Sequence, residues 1–343
     1  MRALVLQSVG RLEPANVPRP VPADDQLLVR TRAAVICTSD LNDVRENPFG
    51  IRLPAAIGHE GAGTVESVGS QVKGFSPGDA VATHPVHPCR ECENCRAGMG
   101  HLCSRMGHFG LNMPGTFAEY YVVRADRARR LPPDVDWAVA ALAEPVSVCL
   151  EALAQARLAT GARLLIIGDG PFGILIARLA AGLKPSCVVV AGRHDFRLGF
   201  AAGATTVNTR ALGEDAAAAL RAAAGGASGY DAVIAAAGSP EAVREGLSLL
   251  RPKGRLVLFS PVPGPVSLDL FDVHVRELEI VGACNDQDRF DEAVALLREP
   301  SLALGELVTH RLPMRDYREA FRLAERGREE AMKVAIIPEA EEA

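Results

Sequence analysis

"RLLIIGDGPFGILIARLAAGL", residues 163–183, decides the fold class of this chain. Residues 164–167 are all apolar, and a strand run without polar alternation is one covered on both faces. Gly168, Gly170 and Gly173 follow in G-x-G-x-x-G spacing, and a segment of helical period comes next. Gly168 permits a tight turn, Gly170 lets the main chain approach a pyrophosphate, and Gly173 allows the helix to pack closely on the strand. The helix N-terminus then faces the phosphates with partial positive charge. A glycine-rich turn without ligand would share the spacing, but the strand before it and the helix after it favour a nucleotide site. Pro171 and Phe172 belong to the same cofactor-binding stretch, although Phe172 as an aromatic side chain reads as packing.

Outward from this stretch the pattern repeats. "CVVVAG", "TVN", "DAVIAAAG", "GRLVLFS" and "LEIVGA" are apolar runs, and helix-period segments such as "PEAVREGLSLL" separate them. Such alternation predicts an α/β chain with a doubly wound parallel sheet and right-handed crossovers. The second strand, 187–191, is where an acid about 20 positions on would grip the ribose hydroxyls of NAD. Gly192 stands there instead and Arg193 follows. A missing carboxylate removes repulsion toward a 2′-phosphate, and a guanidinium binds that phosphate bidentately. The expectation is NADP in preference to NAD. The competing reading makes Arg193 a solvated loop residue and gives the acid's role to Asp195. His194 could touch an adenosine phosphate or simply face solvent. Upstream, residues 1–125 read as short strands broken by Gly and Pro, a compact, barrel-like β domain.

At 343 residues the chain is long for one core, so two domains are expected. A net charge of −5 without a basic block argues against a nucleic-acid partner; "RADRARR" is short and contains Asp126. No signal-peptide pattern opens the chain, and no run is read as approaching the roughly 20 apolar residues of a membrane helix. The reading is a cytoplasmic protein whose thiols stay reduced.

Four of the eight cysteines fall in "HPCRECENCRAGMGHLC", as Cys89-x2-Cys92-x2-Cys95-x7-Cys103. That spacing suits four thiolates around a zinc ion, and a site so filled is structural. A disulfide framework is disfavoured by compartment and by the strain of a Cys-x2-Cys bridge. His84, His87 and His101 flank this lobe and are superfluous once four sulfurs bind. A second constellation is Cys37 in "VICTSD" with His59 and Glu60 in "AIGHEGAG". Sulfur, imidazole and carboxylate can hold zinc with one position open, although a lone Cys is more often a small core residue. Cys149, Cys187 and Cys284 read as core, Trp137 as packing, and Phe49 and Phe109 as candidate cleft lining.

"CTSD", "GHEGAG", the cysteine lobe, "GTFAEYYVV", "EPVSVCLEAL", "GDGPFG" and "GRLVLFS" occur in an order that resembles the zinc-dependent medium-chain dehydrogenase/reductase family, its polyol (sorbitol- and threonine-type) branch above all. The resemblance implies a GroES-like catalytic domain over 1–148, a Rossmann domain over 149–283, and a segment 284–343 returning to the first. It implies two zinc ions per chain, the structural one and a catalytic one on Cys37 and His59. Glu60 would be a ligand or a neighbour of one. Glu144 sits where the polyol branch carries a carboxylate and simple alcohol dehydrogenases carry a third-ligand cysteine. Ser39 would accept the substrate proton and Asp40 would orient His59. Two departures stand out: Thr38 narrows the pocket mouth, and Asn42 replaces a relay histidine and cannot titrate. The implied activity is reversible oxidation of a secondary alcohol (a polyol, sugar-derived or amino alcohol) by NAD(P), in a homodimer or tetramer. The alternatives are a simple alcohol dehydrogenase or aldehyde reductase of the same family, and a non-catalytic nucleotide-binding protein with one structural zinc.

Overall fold

The computed structural model describes residues 1–225 and 228–338. The chain divides into two compact units, Met1–Ser147 with Gln287–Ala343, and Val148–Asp286.

The first unit is built on a seven-stranded sheet. Its order runs Ala128–Arg130, Ala80–Thr83, Glu60–Val68, Gln26–Val35, Lys333–Ile337 and Val308–Pro313, and Tyr120–Arg124 also pairs with Gln26–Val35. The long strand Gln26–Val35 alternates only weakly because it is buried on both faces, at Leu27, Leu28 and Val29 and again at Ala33, Ala34 and Val35. Register carries function here: Val35 lies opposite Glu60 on one side and Ala335 on the other. The chain therefore turns into helix Thr38–Glu46 beside the strands that bear Glu60 and Lys333. Gly63 is required by this pairing, since a Cβ there would lie 2.1 Å from the Arg30 carbonyl oxygen. A two-stranded hairpin, Val86–His87 against Gly107–His108, closes the four-cysteine loop between its strands.

The second unit is a six-stranded sheet in which every pairing is parallel. Its order is Thr205–Asn208, Cys187–Gly192, Arg163–Ile167, Tyr230–Ala235, Leu250–Leu258 and Glu279–Gly282. The first three strands build outward one way, and the chain then returns to build the other way from Tyr230–Ala235. The reversal falls at the carboxyl end of Arg163–Ile167, where ligands bind in open α/β sheets. Leu164, Leu165 and Ile166 are fully buried, as their unbroken apolar run requires.

Three sequence expectations need correction. The stretch Trp137–Ala156 is long and apolar enough to cross a membrane, but 72% of its most apolar window is buried, as in the core of a globular protein. Cys284 is exposed and is not a core residue as read, whereas Cys187, half-buried, packs against the core of the second unit. Phe109 is fully buried between His87 and Tyr121 and lines no cleft.

Candidate active site

The four-cysteine lobe is assembled by main-chain geometry. Cys89 N–H donates to the Cys103 sulfur at 3.2 Å, Cys92 N–H to Cys89 at 3.3 Å, and Arg105 N–H to Cys103 at 3.3 Å. Amide donors aimed at sulfur favour thiolates over thiols. Hydrogen bonds from the main chain pull Cys92 down to about 5. Burial, and then hydrogen bonding with the sulfurs of Cys92 and Cys103, push Cys95 up to about 12, so the lobe favours ionisation at one sulfur and opposes it at another. A dication removes that conflict. Sulfur separations are 3.9 Å for Cys89–Cys95 and 3.8 Å for Cys92–Cys103. Zinc–sulfur bonds of about 2.3 Å give a tetrahedron with edges of about 3.8 Å. The residues fit zinc.

The second cluster brings Cys37, His59 and Glu60 together, all buried, with one donor atom of each within 4.8 Å of the others. Cys37 lies at the N-terminus of helix Thr38–Glu46, where Asp40 in the first turn accepts from the Cys37 N–H at 2.8 Å. The other Asp40 oxygen accepts from His59 Nδ1 at 3.1 Å. A carboxylate in that position fixes the tautomer, so His59 Nε2 presents a lone pair to the site. Ser39 Oγ stands 3.4 Å from that Nε2. Burial, and then the charge of Glu60, push the Cys37 thiol up, an effect that a bound cation would offset. The donor set and its outward-facing lone pair fit zinc.

Lys333 was not picked out by the sequence reading. Its Nζ donates to both Glu60 oxygens, at 2.7 and 2.6 Å, and the pair is buried. Burial works against this ammonium, but the charges of Glu60 and Cys37, joined by that of Glu144, hold it above the ordinary lysine range. Glu144 is buried at the start of helix Ala143–Ala156 and falls outside the close set of three. No local signal marks Lys333, which meets Glu60 across 273 positions through sheet register.

His108 is a second omission. Its ring lies 5.6 Å from that of His59, at the end of the hairpin that carries the cysteine lobe. Burial pushes it down to about 3, so the imidazole is neutral. Its signal was available: a histidine five residues beyond the last cysteine of the lobe.

In the second unit, Gly168 has φ +129, and a Cβ there would sit 2.9 Å from the Ala236 and Ala237 main chain. A Cβ added at Gly173 would lie 2.0 Å from the Gly168 carbonyl oxygen. Gly170 caps helix Pro171–Ala180 with Pro171 at its first position, and nothing fills the space beside it. Phe172 packs on Phe259. Gly192 is confined by Asp169, whose Cβ would be 2.6 Å from an added Cβ. Asp169 Oδ2 accepts from the Arg193 N–H at 2.6 Å, the His194 N–H at 2.8 Å and His194 Nδ1 at 3.0 Å. The glycine loop thus lends a carboxylate to the end of the second strand, where the sequence reading found none. Asp195 instead accepts from Asn208. The Arg193 side chain is exposed, and its guanidinium makes no ion pair or hydrogen bond among the described residues.

Residues 23–133 match the alcohol dehydrogenase GroES-like domain, and residues 170–299 match the zinc-binding dehydrogenase domain. L-threonine 3-dehydrogenase of Anaeromyxobacter dehalogenans is 30% identical over 318 residues, 91% of this chain and 92% of that one. The chain belongs to the zinc-dependent medium-chain dehydrogenase family, in its polyol branch. Sorbitol dehydrogenase of Bombyx mori matches this dehydrogenase at 30% identity over 97% of both chains. Among solved structures, a zinc-binding dehydrogenase of Sinorhizobium meliloti 1021 bound to NADP superposes with TM-score 0.91 at 28% identity, covering 98% of this chain and 99% of its own. The fold class, a GroES-like domain with a Rossmann-type parallel sheet, is that of these dehydrogenases.

Proposed function

We propose that this dehydrogenase reversibly oxidises a secondary alcohol that carries further polar groups, a polyol, sugar-derived or amino alcohol, to its ketone. The observation that carries the reading is the buried set Cys37, His59 and Glu60, with Ser39 Oγ 3.4 Å from the lone-pair nitrogen of His59. Zinc held there supplies a Lewis acid that lowers the pKa of an alcohol hydroxyl toward neutrality. A nicotinamide cofactor held by the glycine loop at Gly168, Gly170 and Gly173 would supply the hydride acceptor. Ser39 takes the hydroxyl proton as the carbon gives up hydride, so alcohol becomes ketone with one hydride and one proton removed. Asn42 cannot carry that proton further, and it leaves through solvent. Asp40 keeps His59 aimed and Cys37 anchored throughout.

Glu144, buried outside the close set of three, takes the place of Glu60 as third zinc ligand in this reading, because Lys333 occupies both Glu60 oxygens. Lys333 engages both oxygens of Glu60 and holds that carboxylate as the charge partner of the site. The cysteine lobe holds a second, structural zinc, giving two per chain. Arg193, exposed and uncommitted, supports NADP over NAD, and the charge of Asp169 is absorbed by its three N–H donors. The eight free cysteines are in keeping with a reducing cytoplasm.

The test is turnover across polyols, amino alcohols and simple alcohols with both cofactors. The proposal expects the hydroxylated substrates and NADP to give the higher kcat/KM, and Arg193→Ala to lower kcat/KM for NADP alone. Preference for simple alcohols or for NAD contradicts the corresponding half.

A further inference from the structure

His108 is held by almost all of its polar atoms. Its main-chain N–H donates to Asn112 Oδ1 at 2.7 Å. Its carbonyl oxygen accepts from the N–H groups of Leu111, Asn112 and Met113, at 3.3, 3.2 and 3.1 Å. Its Nδ1 lies 2.6 Å from the Phe109 carbonyl oxygen. A carbonyl oxygen only accepts, so Nδ1 bears the hydrogen and Nε2 the lone pair. Nε2 has no partner among the described residues. The ring is half-buried beside His59, 5.6 Å centre to centre and tilted by 54°. A lone Nε2 acceptor, held rigid on five hydrogen bonds and placed against a zinc-ligand imidazole, is a preorganised recognition group. An acceptor of this kind is otherwise left to solvent, and a substrate hydroxyl replaces a water molecule at little cost.

We infer that His108 is a specificity-determining residue, whose Nε2 accepts a hydrogen bond from a second hydroxyl of the substrate, next to the carbon being oxidised. The inference rests on the secondary-alcohol reading above and narrows it to vicinal diols. It also gives the cysteine lobe a task. The lobe is the loop of the hairpin whose last residue is His108, paired with Val86, so the structural zinc holds the recognition group in place. A site built to bond a substrate hydroxyl rejects the analogue that lacks it.

The test compares the zinc-loaded enzyme with His108→Phe and His108→Asn on butane-2,3-diol and butan-2-ol, which differ by one hydroxyl. Zinc content and thermal midpoint of each variant check folding. The wild type is expected to favour the diol at least tenfold in kcat/KM. His108→Phe is expected to lose that preference by a rise in KM for the diol, with kcat within about threefold and butan-2-ol unaffected. His108→Asn, which keeps an acceptor, restores part of it. Equal losses on both substrates, or an unchanged ratio, overturn the role of His108 and leave the alcohol reading intact. A wild type that oxidises neither compound overturns both.

Discussion

Asp40 has two oxygens and gives one to each ligand-bearing segment: the Cys37 main chain and the His59 ring. The tetrad Cys37, Ser39, Asp40 and His59 was therefore legible in sequence, because one short helix start and one strand entry contain it. Glu60 and Glu144 were not separable that way. Their roles depend on which carboxylate meets Lys333, and that contact arises only when the closing strand pairs with Gln26–Val35. Glu144→Ala is expected to reduce zinc from two per chain to one and to abolish turnover, while Glu60→Ala keeps two zinc ions with turnover reduced. Metal analysis decides between them, and the reverse pattern would make Glu60 the ligand. Asp169 was hidden for a different reason. The carboxylate expected at the second strand was sought at the usual spacing, whereas the glycine loop supplies it and forbids a side chain at Gly192.

Helix Thr38–Glu46 does more than place ligands. It buries two carboxylates, Asp40 and Asp43, one turn apart. Burial and then the charge of Asp40 raise Asp43 to about 7. An unfolded aspartate ionises near 3.9. Between those values the folded chain holds a proton that the unfolded chain has lost, so stability falls as pH rises through the window and is fully present below it. The slope is at most about 1.4 kcal/mol per pH unit. Asp43→Asn is expected to gain stability on wild type between pH 4 and pH 8, read by urea unfolding at each pH; a pH-independent difference would show that Asp43 is not buried in its charged form. The helix itself was not read from the sequence, where residues 1–125 appear as short strands broken by Gly and Pro. Nor was the burial of Asp43, since a charged residue there reads as solvated until the sheet behind it is known.

For the molecule as a whole, the parallel sheet was legible from one strand, one glycine loop and one helix, because a buried parallel strand writes its environment into an unbroken apolar run. What encloses the outer edge was not. In the second unit, helix Leu270–Val275 exposes Leu270, Phe271 (74% exposed) and Val275, and the edge strand Glu279–Gly282 pairs on one side only among the described residues. An apolar patch beside an open strand edge is a surface that soluble proteins cover. We expect a homodimer or tetramer built on this face, with Phe271→Asp shifting the mass to monomer by light scattering; an unchanged mass would place the interface elsewhere. The most direct test of the whole account is the zinc-to-chain ratio of Cys37→Ser measured beside its turnover. The account predicts a fall from two to one with turnover lost and the cysteine lobe still filled; a ratio of two with full turnover would contradict it.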